Sequence, residues 1–425
     1  MKIPVSIDSP LAPEYLYTLN ALGAHYEHEF LRTEQRADFH VGRGGVGISR
    51  EFERLMLSGV CDHHTYFGDE PVIRTGGGEI DHLSTAFYLL ACVQEWGSQA
   101  EDEHGRFPYD ASLQKRFGIA GRDLVSEHYK SLLRCSPATG VDPDRLPAQR
   151  SRVFLSHDID SLAGSTADQL RFAVKRMDIP ALIRGVTAAV LRRNDKRDLD
   201  RIMRMEEERD LRSTFFWLAV NGDHDGIPHA DYRIDGSEVE TLQRSVLERG
   251  HANGLHKSTL VGGFEEEMAG LSGPTLANRY HFLRFRMPDS LRDAQASGIR
   301  IDASLGFAAT PGFRNNYGLP FRPWDPAVRR ALELVEVPLN VMDTTFIYYQ
   351  RLGADETLDR VRTFLDRNRE DRVISILFHN EYLTEGVFAP WLNLYRDLLI
   401  YLAEDGWTSI GPEQLARKYG RGQDQ

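Results

Sequence analysis

From about residue 150 onward the chain alternates two hydrophobic patterns. Short unbroken apolar runs read as buried parallel strands: Val153-Phe154-Leu155, Phe215-Phe216-Trp217-Leu218 and Val373-Ile374-Ser375-Ile376-Leu377-Phe378. Between them, apolar residues fall at helical spacing. Ser237-Glu238-Val239-Glu240 predicts a helix start with a capping box, apolar at Val239, Leu242 and Val246 and closing at Gly250. Thr357 to Arg367 and then Trp391 to Leu402, taken as the last helix, precede a strand ending near Ile410. Strand and helix in alternation imply parallel βα units, and so a barrel or an open sheet.

Residues 1–148 differ in character. Apolar patches are broken by glycine-rich turns at Gly42-Arg43-Gly44-Gly45-Val46-Gly47 and Gly76-Gly77-Gly78, and the first lacks dinucleotide-loop spacing. Asp81 to Leu90 predicts a helix with a buried face. His63 and His64 are adjacent, and neighbours on one loop seldom share an ion. The stretch from Cys135 to Arg152, with Pro137, Gly140, Pro143 and Pro147, reads as a linker. A length of 425 residues fits two domains. The division is then 1–148, a smaller α/β domain with a structural or partner-binding role, and 149–425, the βα domain.

The net charge of −12 argues against nucleic-acid binding, which needs a basic footprint. Cys61, Cys92 and Cys135 share no CxxC spacing and read as free thiols of a reducing compartment. No signal core or membrane-length apolar run is present, so the expected location is cytoplasmic. One segment opposes the overall charge. Residues 169–197 carry Lys175, Arg176, Arg184, Arg192, Arg193, Lys196 and Arg197, with Ile179, Leu182, Ile183, Val186 and Val190 at helical intervals. A basic amphipathic helix of this kind can serve peripheral membrane contact or guide an anionic substrate; more often such a pattern is a solvated helix packed on its own domain.

The chemistry concentrates where apolar runs end. After Leu155 come Ser156-His157-Asp158-Ile159-Asp160, and strand alternation puts Asp158 and Asp160 on one side and His157 on the other. Two carboxylates at the carboxyl end of a strand suit a base beside a metal ligand; two solvated aspartates opening a loop fit the same eight residues. A second short strand ends at His256, and imidazole pairs naturally with a carboxylate around zinc-like ions.

In chain order, Ser156-His157-Asp158-Ile159-Asp160, Ser213-Thr214-Phe215-Phe216, Gly250-His251 through Gly254-Leu255-His256, and Leu377-Phe378-His379-Asn380 resemble the motifs of the polysaccharide deacetylases. This is the NodB-homology family, carbohydrate esterase family 4. The likeness spans roughly residues 150 to 415 and is nearest the branch with a separate N-terminal α/β domain, found among bacterial surface-glycan genes. It implies a distorted (β/α) barrel with one divalent metal, often zinc. It also implies a hydrolase that removes an N-acetyl group from a carbohydrate, such as a nucleotide- or lipid-linked amino-sugar precursor.

Carried over residue by residue, the resemblance makes Asp158 the general base, Asp160 the metal carboxylate, His256 the first metal imidazole and His379 the proton donor to the leaving amine. His281 to Pro288 stands where the family has an Arg-Pro motif, so Arg284 or Arg286 is expected to orient the base. Asp302 to Phe307, then Gly312-Phe313-Arg314, resemble a substrate-cleft segment; Arg286, Asp302, Arg314 and Asn380 are therefore expected at the substrate. One position departs. The family usually places a second imidazole, sometimes an Asn, four residues after the first, and here that residue is Leu260. Ser258 and Thr259 are poor zinc ligands, so the third ligand would be His281, the best candidate, or water or another group. Leu260 is the main support for an alternative, a non-catalytic glycan-binding or scaffold protein on the same fold.

Overall fold

The computed structural model describes residues 1–136, 139–146, 148–162, 170, 173–174, 177–190 and 199–420. The N-terminal part holds a three-stranded parallel sheet of β1 (Lys2–Ile7), β2 (Glu29–Arg32) and β3 (Phe39–Val41), with β1 central. Packed with it are α1 (Ala12–Gly23), α2 (His82–Leu90) and α3 (Leu124–Cys135). The Asp81 side chain caps α2, accepting from Ser84 N at 2.9 Å, which is why the helix starts where its apolar face begins.

Among the described residues the larger sheet has nine strands: β4 (Arg152–Ile159), β5 (Ser213–Leu218), β6 (Ala252–Lys257), β7 (Ala277–Tyr280), β8 (Ile301–Asp302), β9 (Val335–Glu336), β10 (Leu339–Met342), β11 (Val373–Leu377) and β12 (Thr408–Ser409). Their order is β9-β8-β7-β6-β5-β4-β11-β10, with β12 paired to β4, and every pairing is parallel. The two end strands are consecutive in the chain, joined by Val337 and Pro338, so the sheet curls back on itself in the manner of an α/β barrel. Between and after the strands run α4 (Ile179–Val190), α5 (Leu199–Glu207), α6 (Ser237–Glu248), α7 (Ala354–Arg367), α8 (Ala389–Glu404) and α9 (Pro412–Tyr419). Two sequence expectations are corrected. The N-cap of α6 is Gly236 with no side-chain cap, so the Ser237 capping box does not form, and α9 follows the helix read as the last.

The interior ignores the division at 148/149. One apolar cluster joins Tyr15, Phe87 and Val125 to Ala277, Ile301, Val335 and Leu415. Polar contacts cross the same boundary: Arg314 is bidentate to Glu95 at 2.9 and 2.7 Å, Arg372 meets Asp123 at 2.9 Å, and Arg329 meets Glu14 at 2.6 Å. Gly312, at φ +132°, lies so near Ala120 that a Cβ there would fall 2.3 Å from its carbonyl oxygen. A second cluster, with Phe215, Trp217, Ile374, Tyr395 and Leu398, fills the other side of the sheet. Residues from both sides of that division share one core.

Of the basic segment 169–197, Lys175, Arg176, Arg192, Arg193, Lys196 and Arg197 lie outside the described residues. Its centre is α4. Among the described residues no helix is long and apolar enough to cross a membrane.

Candidate active site

The carboxyl ends of β4, β6, β7, β10 and β11 converge on one cleft of about 550 Å³. Alternation along β4 acts as the sequence implied. Asp158 and Asp160 line the cleft, while His157 is fully buried on the opposite face, with Nδ1 2.8 Å from Phe378 O and Nε2 2.8 Å from Glu206.

Asp158, 2% exposed, accepts at Oδ1 from Arg279 Nη1 at 2.7 Å. Arg279 is wholly buried on β7; its Nε donates to Ala303 O at 2.9 Å and its guanidinium lies 4.5 Å over the Phe216 ring. The cation on the carboxylate is thus Arg279, and neither Arg284 nor Arg286 fills the place. The reason is the turn of the backbone. Past His281 the chain leaves the strand direction through Phe282 and Leu283, both at positive φ (60° and 55°). That turn carries Arg284 against Gly105 and Arg286 to the surface, where it pairs with Glu101.

Asp160, His256 and His281 form a donor cluster in the cleft, their ligand atoms all within 4.8 Å of one another. His256 Nδ1 lies 2.9 Å from Arg279 O, and donation to that carbonyl leaves Nε2 facing Asp160 at 3.3 Å and Asp158 at 3.6 Å. Asp160 Oδ1 and His281 Nδ1 are buried without a hydrogen-bond partner. A carboxylate and two imidazoles with open lone pairs fit a zinc-type ion. Leu260 has no part in the cluster: it is 61% exposed, at φ +66°.

The charges agree with this arrangement. Burial pushes the His281 imidazole down to about 3. Burial would raise the Asp160 carboxyl, but His256, His281 and His379 outweigh it and hold the group below its ordinary value. The same contest lifts His256, where burial opposes the charge and Asp158 and Asp160 favour it.

His379 follows β11. Asp343, fully buried just past β10, takes its Nδ1–H at 2.7 Å with one oxygen and its backbone N–H at 2.7 Å with the other. Burial disfavours the imidazolium, yet Asp343, with Asp160 and Asp158 behind it, lifts His379 to about 10, so its proton is held at neutral pH. Nε2 then faces Asp160 Oδ2 at 3.9 Å.

The four residues expected at the substrate are elsewhere. Asp302 is fully buried, accepting from Asn278 Nδ2 at 2.6 Å beside Glu336; the short β8 turns it inward. Arg314, 2% exposed, is consumed by Glu95 and by Gly306 O. Asn380, 1% exposed, ties its loop to Ser161 O at 2.9 Å, and Arg286 is the surface partner of Glu101. The walls of the cleft come instead from Glu103, His104 and Arg106 of the N-terminal part and from Tyr348, Tyr349 and Tyr382. In sequence, residues 102–108 read as a polar turn before a helix, and no motif marked Tyr348, Tyr349 or Tyr382. Arg279 and Asp343 were hidden too, the first inside a short strand and the second after one with no motif around it. At His63 and His64 the neighbouring Asp62 spends Oδ1 on His64 N at 3.1 Å, capping a single turn.

Residues 52–136 match the model of a family of unknown function (DUF7033). No curated protein matches the chain. Among solved structures, a probable polysaccharide deacetylase from Pseudomonas aeruginosa PAO1 is 13% identical, covering 64% of this chain and 92% of its own, with a TM-score of 0.41. A putative polysaccharide deacetylase from Mycobacterium smegmatis is 12% identical over 63% and 90% of the two chains, with a TM-score of 0.39. A CE4 family pseudoenzyme from Bacillus anthracis is 11% identical over 64% and 67%, with a TM-score of 0.32.

Proposed function

We propose that the protein is a metal-dependent hydrolase that removes an N-acetyl or related acyl group from a carbohydrate, as an amino-sugar precursor of a bacterial surface glycan in the cytoplasm. The observation that carries this reading is the Asp160–His256–His281 cluster on the wall of a cleft that also holds Asp158 and His379. A divalent ion, zinc by the donor set, would be held by those three side chains and would supply Lewis acidity towards the amide carbonyl and the attacking water. Asp158 takes the proton of that water, with Arg279 fixing its carboxylate. His379, kept protonated by Asp343, gives its proton to the nitrogen as the C–N bond breaks, releasing acetate and a free amine.

A second reading draws on Leu260, where the family pattern has an imidazole: a glycan-binding or scaffold protein without turnover. Metal analysis of protein purified without added metal, with acetate release from N-acetylated oligosaccharides and a nucleotide-linked N-acetyl sugar, separates the two. One equivalent of a zinc-like ion, lost in Asp160→Ala and in His256→Ala, together with acetate release, supports the enzyme. A metal-free, inactive, glycan-binding protein supports the scaffold.

Peripheral contact with an anionic membrane belongs to the same proposal. Ala181, Gly185 and Ala188 seat α4 on the body of the protein, while Ile179, Ile183, Val186 and Val190 point outward, 49–77% exposed. Leu182 packs on the core beside these small residues; the outward row of large apolar side chains is shaped for a second surface, and the basic sequence around it selects an anionic one. Co-sedimentation with phosphatidylglycerol vesicles, abolished by Ile183→Asp, is the expected result.

A further inference from the structure

The turn Asp102–Arg106 of the N-terminal part reaches the wall of the cleft. Asp102 organises it: Oδ1 accepts from His104 N at 2.9 Å and from Arg106 N at 3.1 Å, and Oδ2 from Arg106 Nε at 2.7 Å. Gly105 sits at φ +73°, and a Cβ there would fall 2.6 Å from Arg284 Nε, so the turn requires glycine. From this base Arg106, itself 6% exposed, donates Nη1 to Phe282 O at 3.2 Å and Nη2 to Tyr349 Oη at 2.7 Å. The His104 ring lies parallel to Phe282, 5.2 Å away and within 3°, and Phe282 in turn stacks on His281 at 4.1 Å.

These contacts meet at a weak point of the donor cluster. The His256 ring is set by its bond to Arg279 O, and Asp160 directly follows a strand paired on both sides. His281 lies one residue beyond β7, and its Nδ1 has no hydrogen-bond partner. Its aim depends on the backbone at Phe282 and Leu283, where two successive L residues hold the left-handed conformation that such side chains seldom adopt unsupported. The Phe282 carbonyl, in the peptide between those two residues, is the atom Arg106 grips.

We infer that Arg106 is a positioning residue for His281, so that the N-terminal part completes the donor cluster of the barrel by bracing its third member. This rests on the reading of His281 as a ligand. A partner that orients a ligand is worth about ten- to a hundredfold in metal affinity, and here that partner is supplied by a segment 175 residues away in sequence.

The test uses the full chain with Arg106→Ala, Arg106→Lys and His104→Ala, and two readouts. The first is hydrogen exchange of the Phe282–Arg284 amides in metal-free protein; the second is Co²⁺ titration followed by its visible spectrum. Arg106→Ala is expected to speed exchange at those amides, weaken Co²⁺ binding about ten- to a hundredfold and move the spectrum towards that of His281→Ala. Arg106→Lys should recover part of this, since an ammonium cannot serve both acceptors. If Arg106→Ala fails to fold, His104→Ala, which removes only the stacked ring, must show both changes in smaller measure. Unchanged exchange and an unchanged cobalt site in a folded variant overturn the inference. A wild-type protein that binds no Co²⁺ overturns the metal reading instead, and the exchange data alone then decide whether Arg106 braces the His281 segment.

Discussion

The two faces of β4 use the same residue types to opposite ends. On the helix side, His157, Glu206, Ser213, His251 and Tyr395 form a closed network. Glu206 is fully buried, with His157 Nε2 and Ser213 Oγ each at 2.8 Å and the Tyr395 hydroxyl hydrogen-bonded to it. On the cleft side, Asp160 and His281 are left with open ligand atoms. Buried polar groups are normally satisfied, so an acid–imidazole cluster that is closed on itself is architecture, and one that is incomplete is arranged for something else. Residue type cannot tell these apart. Satisfaction can.

The comparison can be broken at several points. The largest effect should come from Asp160→Ala or His256→Ala, which are expected to abolish both metal retention and acetate release in protein that circular dichroism shows to be folded. Asp158→Asn should next lower kcat by about 10²–10⁴-fold, the usual worth of a general base, with secondary structure by circular dichroism unchanged. Glu206→Ala reverses the pattern: it should cost about 3–5 kcal/mol of stability, because it opens a buried charged network, and leave the metal stoichiometry of the folded fraction intact. Burial would raise the Glu206 carboxyl, but His157 and His251 and the Tyr395 hydroxyl hold it below its ordinary 4.5. Its contribution is therefore present above about pH 4.5 and lost as pH falls through the lower folded value, and Glu206→Gln should flatten the acid limb of stability. The smallest effect should come from Leu260→His. That side chain faces solvent, so Zn²⁺ affinity measured by competition with a chelator should change by less than about threefold.

Legibility in the sequence followed the range of the interactions. The strands β4, β5 and β11 were readable because strands buried on both faces need unbroken apolar runs, and the ends of those runs marked Asp158, Asp160 and His379. His256 was readable as a polar residue closing a short strand. Arg279, Asp343 and Glu206 were not, since each takes its meaning from a partner distant in sequence: Asp158, His379 and His157, respectively. The expectations at Arg284, Arg286, Asp302 and Arg314 failed for a related reason. Local spacing places a residue along the chain but does not say which way the backbone turns its side chain.

The fit of Gly312 against Ala120 reaches beyond packing. A module that can be exchanged between proteins brings its own interior; here a loop of the barrel is shaped to a backbone carbonyl of the N-terminal part, with no room for one methyl group. In homologous chains, a side chain at position 312 should appear only where the 119–121 backbone has also moved, and a barrel parted from residues 1–148 should be found with this loop rebuilt.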